Sequence, residues 1–365
     1  MKLAQLFGAY SHFKLGEDPL KEVTALCVDS RKIQPGHVFI AVRGHTSDGH
    51  KYIRDVCDQN IVAVVVEDES VVPPQFKGGV LVVSNSREAL VRLSGIFYGN
   101  PADKLFCVGV TGTNGKTSVT YMIESILNHF GMPTGVLGTI DHHFAEKTWM
   151  SELTTPDAIT LQQRLRDFVA LGAKAAALEV SSHAIDQGRA GGIPFQCVIF
   201  TNLTRDHLDY HETMEKYFAA KEKLFTECLL RKAGDAPVAI ININDEWGRK
   251  IIPAPNAKVW TYGESQSDFQ FQVLENKFSG TRFRLTTPRG DAEITTPLPG
   301  RHNVYNSVAA IATGLAAGAS LQACKEGIEK FRGVPGRMER VPSETSRNVF
   351  VDYAHTDDAL KTVLK

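Results

Sequence analysis

Along the first hundred residues, short β-branched apolar runs alternate with polar stretches rich in turn residues. The runs at 23–29, 38–42, 61–66 and 79–83 predict strands, since Val and Ile suit a pleated, buried surface. The apolar spacing over 52–59 and 87–97 predicts helices between them. Tyr98-Gly99-Asn100-Pro101 breaks the pattern and reads as a linker. From 105 onward, strands are predicted at 105–110, 135–140, 175–180, 198–203 and 238–243, with helices at 118–130, 158–171 and 214–229. Such alternation marks a parallel sheet covered by helices. Residues 268–296 alternate apolar and polar positions, with turns at Ser279-Gly280 and Arg289-Gly290, and predict an antiparallel hairpin set. An Ala-rich helix (303–318) and another at 321–331 follow. Beyond Pro335 come one strand (349–353) and one helix (357–364). A single strand and helix cannot close an α/β core. This part reads as the start of a third domain that is largely missing, a docked extension being the alternative. The expectation is an α/β protein of three units, 1–100, 101–334 and 335–365.

A length of 365 residues agrees with more than one domain, and 43% hydrophobic with 22% charged residues is ordinary for a globular chain. A net charge of −1 gives no reason to expect nucleic acid or a membrane surface as partner. No apolar run approaches the roughly 18–20 residues of a spanning helix, and the N-terminus lacks a signal-peptide apolar region. The six cysteines lie far apart without a C-x-x-C, so they read as buried free thiols of a cytoplasmic protein. Cys107 and Cys197 read as core rather than catalytic.

The chemistry begins at Val108-Gly109-Val110-Thr111-Gly112-Thr113-Asn114-Gly115-Lys116-Thr117, an apolar strand entering a glycine-bearing loop ahead of a helix. Such a loop turns backbone N–H groups toward a phosphate, the lysine adds a point charge, and the threonine hydroxyl can bind Mg²⁺. Val110 stands where the strict P-loop pattern has glycine, so Gly112 is expected to supply the turn. For Gly-Lys-Thr alone, chance occurrence in a surface loop is an equal reading; the flanking strand and helix favour phosphate binding.

Ligands of open parallel sheets bind at the carboxyl ends of strands, so the polar residues there carry the candidates. One strand ends in Glu179-Val180-Ser181-Ser182-His183. Glu179 is placed to hold Mg²⁺ on ATP phosphates, the alternative being a carboxylate paired with a nearby base. Another ends in Thr204-Arg205-Asp206-His207-Leu208-Asp209-Tyr210-His211. His207 is a candidate metal ligand, and Asp206 or Asp209 a candidate helix cap; a charged capping loop is the plainer account. Lys216, Lys221 and Lys223 on the next helix give no local reason to prefer one.

Together these segments resemble the Mur ligases of peptidoglycan synthesis. The resemblance rests on TGTNGKT at 111–117, EVSSH at 179–183, TNLTRDHLDYH at 201–211 and GRHNVYNS at 300–307. DSR at 29–31, GHTSDGH at 44–50, TTPD at 154–157, SSHAIDQGR at 181–189 and YFAAKEKLF at 217–225 look most like its tripeptide-synthetase branch. It spans almost the whole chain. It implies an N-terminal α/β domain for the uridine nucleotide, a central P-loop, Rossmann-like domain and a C-terminal Rossmann-like domain. It also implies an ATP- and Mg²⁺-dependent ligase adding a diamino acid, meso-diaminopimelate or L-lysine, to UDP-MurNAc-L-Ala-D-Glu. Such an enzyme would be a cytoplasmic monomer serving cell-wall synthesis, cell shape and division, although the sequence itself leaves oligomeric state open.

Carried over residue by residue, the resemblance implies that Ser30, His45, Thr46 and Ser47 meet the uridine nucleotide. Thr154, Thr155, Ser181, Gln187 and Arg189 would hold the anionic muramoyl-dipeptide. Gly112, Thr113, Asn114, Gly115, Lys116, Thr117 and Ser118 would bind ATP, with Asn303 and Arg337 on the nucleotide. Thr117, Glu179 and His207 would surround magnesium, and Lys221 matches a lysine carbamylated in the family, whose carbamate would help bind a second Mg²⁺. The family's YAHTPDAL reads YAHTDDAL at 353–360, and Asp357 in the proline position is expected to cap the helix instead. The expected chemistry is an acyl phosphate captured by an amine, with little amide formation by this stretch of chain alone. A folylpolyglutamate-synthetase-like ligase is a rival reading, opposed by the separate N-terminal domain. A non-catalytic nucleotide-binding module is another, opposed by the retained Lys116, Glu179, His207 and Lys221.

Overall fold

The computed structural model describes residues 1–18, 20–44, 47–230, 236–342 and 348–364. Contacts divide it into two units. The first comprises Met1–Pro101 with Asp157–Arg166 and Gln187–Gly192; the second comprises Ala102–Pro156, Asp167–Asp186 and Ile193–Lys365.

In the first unit, α1 (Leu3–Phe7) precedes β1 (Phe13–Lys14), β2 (Ala25–Cys27) and β3 (His37–Ile40). Then come α2 (Ile53–Cys57), β4 (Ala63–Val66), β5 (Gly79–Val82) and α3 (Ser86–Tyr98). The sheet order is β1-β5-β4-β3-β2, parallel except for β1. Side chains alternate faces along each strand. Val38, Ile40 and Val65 therefore pack with Leu6, Phe7 and Leu93, while Phe39, Val64 and Val66 pack with Ile53 and Val56. The predicted linker begins as the end of α3, where Gly99 at φ 77° takes the left-handed cap position.

The second unit opens with β6 (Phe106–Thr111), α4 (Lys116–His129), β7 (Thr134–Leu137), β8 (Asp141–Phe144) and β9 (Lys147–Met150). The helix α5 (Ala158–Ala170) precedes β10 (Ala175–Glu179), α6 (Ser182–Asp186), β11 (Cys197–Phe200), α7 (Leu208–His211) and α8 (Met214–Thr226). There follow β12 (Val238–Asn242), β13 (Lys258–Gly263), β14 (Phe269–Lys277), β15 (Gly280–Thr287) and β16 (Gly290–Thr296). The chain continues through α9 (Arg301–Ala316), α10 (Leu321–Glu329), β17 (Glu339–Val341), β18 (Val349–Val351) and α11 (Asp357–Val363). One sheet runs β16-β15-β14-β13-β12-β11-β6-β10-β7-β8-β9, and its central strands, from β14 to β7, are parallel. The predicted hairpin set is thus an antiparallel extension of the parallel sheet. The core joins α4, α9 and α10 through Met122, Ile126, Val308, Ile311 and Ile328.

Several expectations are corrected. The strand expected to reach 140 stops at Leu137, because Gly138 and Thr139 turn around Glu179; a Cβ on Gly138 would stand 2.2 Å from Glu179 Oε1. The strand expected to reach 203 stops at Phe200, because 201–204 leave the ladder to bond the loop after β6. β8, β9 and β13 were not expected. The β8–β9 turn places Ala145 at φ 52°, without the Gly or Asn that usually marks such a hairpin. β18 pairs antiparallel with an unexpected β17. Thr356 caps α11, accepting from the Ala359 N–H, so Asp357 is not the cap. Asp357 occupies the first helical position, where proline is also well suited and an acid is favoured by the helix dipole. All six cysteines are free, but Cys57 and Cys228 are only half-buried.

Candidate active site

The second unit holds a cavity of about 490 Å³ at the carboxyl ends of β6, β10 and β11, where the strand order reverses. Among its lining residues are Asn114, Lys116, Thr117, Glu179, Asp206 and His207. Thr113, Gly115, Ser118, Thr154, Asn303 and Arg337 also reach it.

Gly112 makes the turn after β6 at φ 145°, and a Cβ there would lie 1.9 Å from Thr201 Oγ1. Gly115, at φ 89°, caps α4 and leaves no room for a side chain against Asn306. Glycine is thus required twice, once for dihedral and approach and once at the helix entrance. The loop is braced from β11. Thr113 N–H donates to the Asn202 carbonyl (2.9 Å) and Asn114 N–H to Asn202 Oδ1 (2.9 Å). Thr201 Oγ1 and Asn202 Nδ2 both donate to the Asn114 carbonyl, at 2.6 and 3.1 Å.

Lys116 Nζ donates to the carbonyls of Gly112 (3.0 Å) and Thr113 (2.8 Å), lying over its own loop. Burial lowers its pKa, while Glu179 and Asp206 oppose that and Arg337 adds to it. Lys221 is 1% exposed and its Nζ donates to the same Gly112 carbonyl (3.0 Å). Burial, with Lys116 adding, holds its pKa well below the usual lysine range.

Glu179 is 1% exposed at the end of β10. Its Oε1 accepts the Thr139 N–H (2.8 Å) and its Oε2 the Thr139 hydroxyl (3.1 Å). The same hydroxyl lies 3.1 Å from Thr154 Oγ1. On the backbone side, Thr155 Oγ1 donates to the Glu179 carbonyl (2.8 Å) and accepts the Ser181 N–H (3.0 Å). Glu179 is thus tied to Thr139 and Thr154 through its carboxylate, and to Thr155 and Ser181 through its backbone carbonyl. Sequence reasoning missed Thr139, because the strand predicted at 135–140 placed it inside the strand, whereas β7 ends at Leu137. Thr201 and Asn202 stood inside a quoted motif with no role assigned.

His207 sits at φ 51° with its ring half-exposed, 3.6 Å from Asp206 Oδ2. Burial lowers its pKa against the pull of Asp206. Asn303 lies in the cavity wall, but its amide donates to the Pro299 carbonyl (2.8 Å) and accepts from Asn306 (3.2 Å), fixing the start of α9. Arg337 lies over the Tyr353 ring at 4.7 Å. Among the described residues no three His, Cys, Asp or Glu side chains form a metal cluster by themselves.

The other candidates lie in the first unit. Ser30 begins a short 3₁₀ turn capped by Asp29, whose carboxylate is held down to about 2 by Arg31. Ser47 is exposed and its carbonyl accepts the Gly44 N–H (2.8 Å). Arg189 donates through Nε (3.0 Å) and a terminal nitrogen (2.6 Å) to Gln187 Oε1. His45 and Thr46 lie outside the described residues.

A glycine-hinged loop at a helix N-terminus, with a lysine and a threonine facing a buried carboxylate, defines a P-loop α/β enzyme. The chain belongs to the Mur ligase family. The family description "Mur ligase middle domain" matches residues 110–314, and "Mur ligase family, catalytic domain" matches 22–98. The chain is 44% identical over 368 aligned residues to a Geobacter metallireducens protein named UDP-N-acetylmuramoyl-L-alanyl-D-glutamate--2,6-diaminopimelate ligase. That alignment covers 100% of this chain and 71% of the relative. A solved structure of a protein with the same name superposes with a TM-score of 0.81 at 29% identity, covering 100% of this chain and 73% of the other. The Mycobacterium tuberculosis folylpolyglutamate synthase complexed with ADP and AMPPCP reaches 0.61 at 20% identity, covering 75% of this chain and 69% of the other, a likeness of fold alone.

Proposed function

We propose that this chain is the nucleotide-activating part of a cytoplasmic ligase joining 2,6-diaminopimelate to UDP-N-acetylmuramoyl-L-alanyl-D-glutamate. The observation that carries the reading is the cavity itself, where Lys116 and Thr117 share a wall with Glu179 and Thr154. The full-length similarity to a named diaminopimelate ligase supports the choice of substrate. Among the described residues no helix is long and apolar enough to cross a membrane.

In this reading the γ-phosphoryl group of ATP passes to the terminal carboxylate of the dipeptide. An acyl phosphate forms and ADP leaves. An amine of diaminopimelate then attacks the acyl carbon, and the tetrahedral intermediate expels phosphate. The chain's work is positioning and charge neutralisation. Backbone N–H groups of 115–118, at the entrance of α4, hold the phosphates while those of Thr113 and Asn114 stay on Asn202, and Lys116 exchanges its loop carbonyls for phosphate oxygens. Thr154, Thr155 and Ser181 orient the dipeptide, with Gln187 and Arg189 meeting its anionic end. Ser30, His45, Thr46 and Ser47 receive the uridine nucleotide, and Asn303 and Arg337 the ATP.

The donors suit magnesium: a buried threonine hydroxyl and a carboxylate whose two oxygens each take one protein hydrogen bond, leaving capacity toward the cavity. Few all-protein ligands are what Mg²⁺ prefers, since phosphates and water complete its shell. Thr117, Glu179 and His207 would hold it, and it would supply charge neutralisation on the phosphates. The depressed pKa of Lys221 favours the neutral amine that adds to CO₂, giving an N6-carboxylysine and releasing a proton.

Calorimetry should show MgATP binding that Lys116→Ala weakens by about 30-fold or more, the loss of a charge-assisted contact pair. Equal affinity in the two proteins would overturn the phosphate-site assignment. ADP release that depends on the UDP-muramoyl-dipeptide and is faster with meso-diaminopimelate than L-lysine would support the substrate. The reverse preference would move the reading to a lysine-adding ligase.

A further inference from the structure

Tyr217 precedes Lys221 by four residues on α8, so both side chains share one helix face. They meet the phosphate loop at consecutive residues. Lys221 Nζ donates to the Gly112 carbonyl, and Tyr217 Oη lies 3.2 Å from Thr113 Oγ1. The Thr113 hydroxyl also accepts the Thr204 N–H (3.0 Å) and lies 3.2 Å from the Thr204 carbonyl. The Tyr217 hydroxyl thus joins a hydrogen-bonded group that ties the phosphate loop to the loop after β11.

The ring is as constrained as the hydroxyl. Tyr217 is 1% exposed, stacks on His211 at 5.0 Å and 26°, and meets His207 edge-on at 6.0 Å. His211 is held in turn by Ser182, 2.9 Å from its Nε2. Lys221 Nζ stands 4.7 Å from the Tyr217 ring centre. One side chain therefore touches the loop, the buried lysine and the histidine wall.

We propose that Tyr217 is a positioning residue that fixes the phosphate loop through Thr113 and holds Lys221 against Gly112. The inference rests on the phosphate-binding reading of the loop. α8 then acts as a two-point clamp: its tyrosine sets the loop's outer turn and its lysine the inner one. Misplacing the first disturbs the second, because both anchor points are neighbours in the loop.

The test is a double-mutant cycle on MgATP affinity by calorimetry, with melting curves alongside. Tyr217→Phe keeps the ring and removes only the hydroxyl, and is expected to weaken MgATP binding about fivefold with little change in melting. Thr113→Val should weaken it comparably or more. The double variant should bind no worse than Thr113→Val alone, since the hydroxyl acts through that residue. Unchanged affinity in Tyr217→Phe would overturn the proposal while wild-type binding upheld the nucleotide site. Fully additive losses would also overturn it, by showing that the tyrosine acts elsewhere. A wild-type protein that failed to bind MgATP would remove the nucleotide reading and this proposal together.

Discussion

The loop after β6 and the loop after β11 leave neighbouring strands of one sheet, yet they use their polar groups in opposite ways. Residues 112–115 turn toward the cavity, with glycines at φ 145° and 89° where the chain must bend or approach closely. Residues 201–204 spend their side chains and backbone on the first loop. A loop that presents N–H groups to an anion needs partners elsewhere for its carbonyls, because an unpaired buried carbonyl costs free energy comparable to a lost hydrogen bond. The second loop engages the Asn114 carbonyl twice and also takes the Thr113 and Asn114 N–H groups, leaving the N–H groups at the entrance of α4 to the ligand.

The comparison breaks most completely at Gly112. A side chain there meets Thr201 Oγ1 at 1.9 Å and forces an L-residue to φ 145°. Gly112→Ala should reduce MgATP affinity by about 100-fold or more, from strain of a few kcal/mol at one position. Calorimetry within threefold of wild type would show that the loop reshapes freely. Asn202→Ala comes next. It leaves the Asn114 N–H without its acceptor and removes one of two donors to the Asn114 carbonyl. A loss of roughly tenfold is expected, near the cost of one unsatisfied buried group. If Asn202→Ala exceeds Gly112→Ala, the brace and not the turn is the dominant element.

How much of this was legible follows from the same contrast. The turn at Gly112 could be read, because glycine at a strand end with Lys-Thr beyond it has a local physical cause. The brace could not. Thr201 and Asn202 act across about 90 residues of sequence, on a partner that only the parallel pairing of β6 and β11 brings near. The strands at 105–110 and 175–180 announced themselves by continuous apolar runs. β8 and β9 carry His, Asp, Lys and Thr and turn at Ala145, so neither composition nor turn chemistry marked them. Glu179 was found from its place after an apolar strand, but not Thr139, whose role depends on β7 ending early. Lys221 came from family resemblance alone. Its burial and low pKa supply the physical reason that lysine spacing on a helix did not.

A smaller effect is expected at Thr139, which aims the Glu179 carboxylate without touching the loop. Thr139→Val keeps the backbone bond to Oε1 and loses the hydroxyl bond to Oε2. Mn²⁺ affinity of the nucleotide-bound protein, measured by electron paramagnetic resonance, should fall about threefold and recover in Thr139→Ser. Loss of affinity for nucleotide without metal would instead tie Thr139 to the loop and blur the distinction between strand ends.

The smallest effect on nucleotide binding is expected at His143, which sharpens the comparison by lying outside both loops. Its Nδ1 is 2.6 Å from Asp141 Oδ1 and its Nε2 3.1 Å from Glu124 Oε2, joining β8 to α4. Burial lowers its pKa, but the two carboxylates outweigh that and raise it from 6.5 to about 9. Because the folded value is the higher one, the contribution to stability is full below the unfolded pKa and lost as pH rises through about 9. His143→Gln should therefore cost roughly 2 kcal/mol near the acidic end of the stable range, shrinking toward zero at alkaline pH. Denaturant unfolding at several pH values checks the slope, and MgATP affinity should not change. A pH-independent difference would mean that His143 contributes by packing, with no ion pair. Altered nucleotide affinity would mean that the β8–β9 edge communicates with the loop after β6, and the division of labour between the two strand ends would then have to include a third.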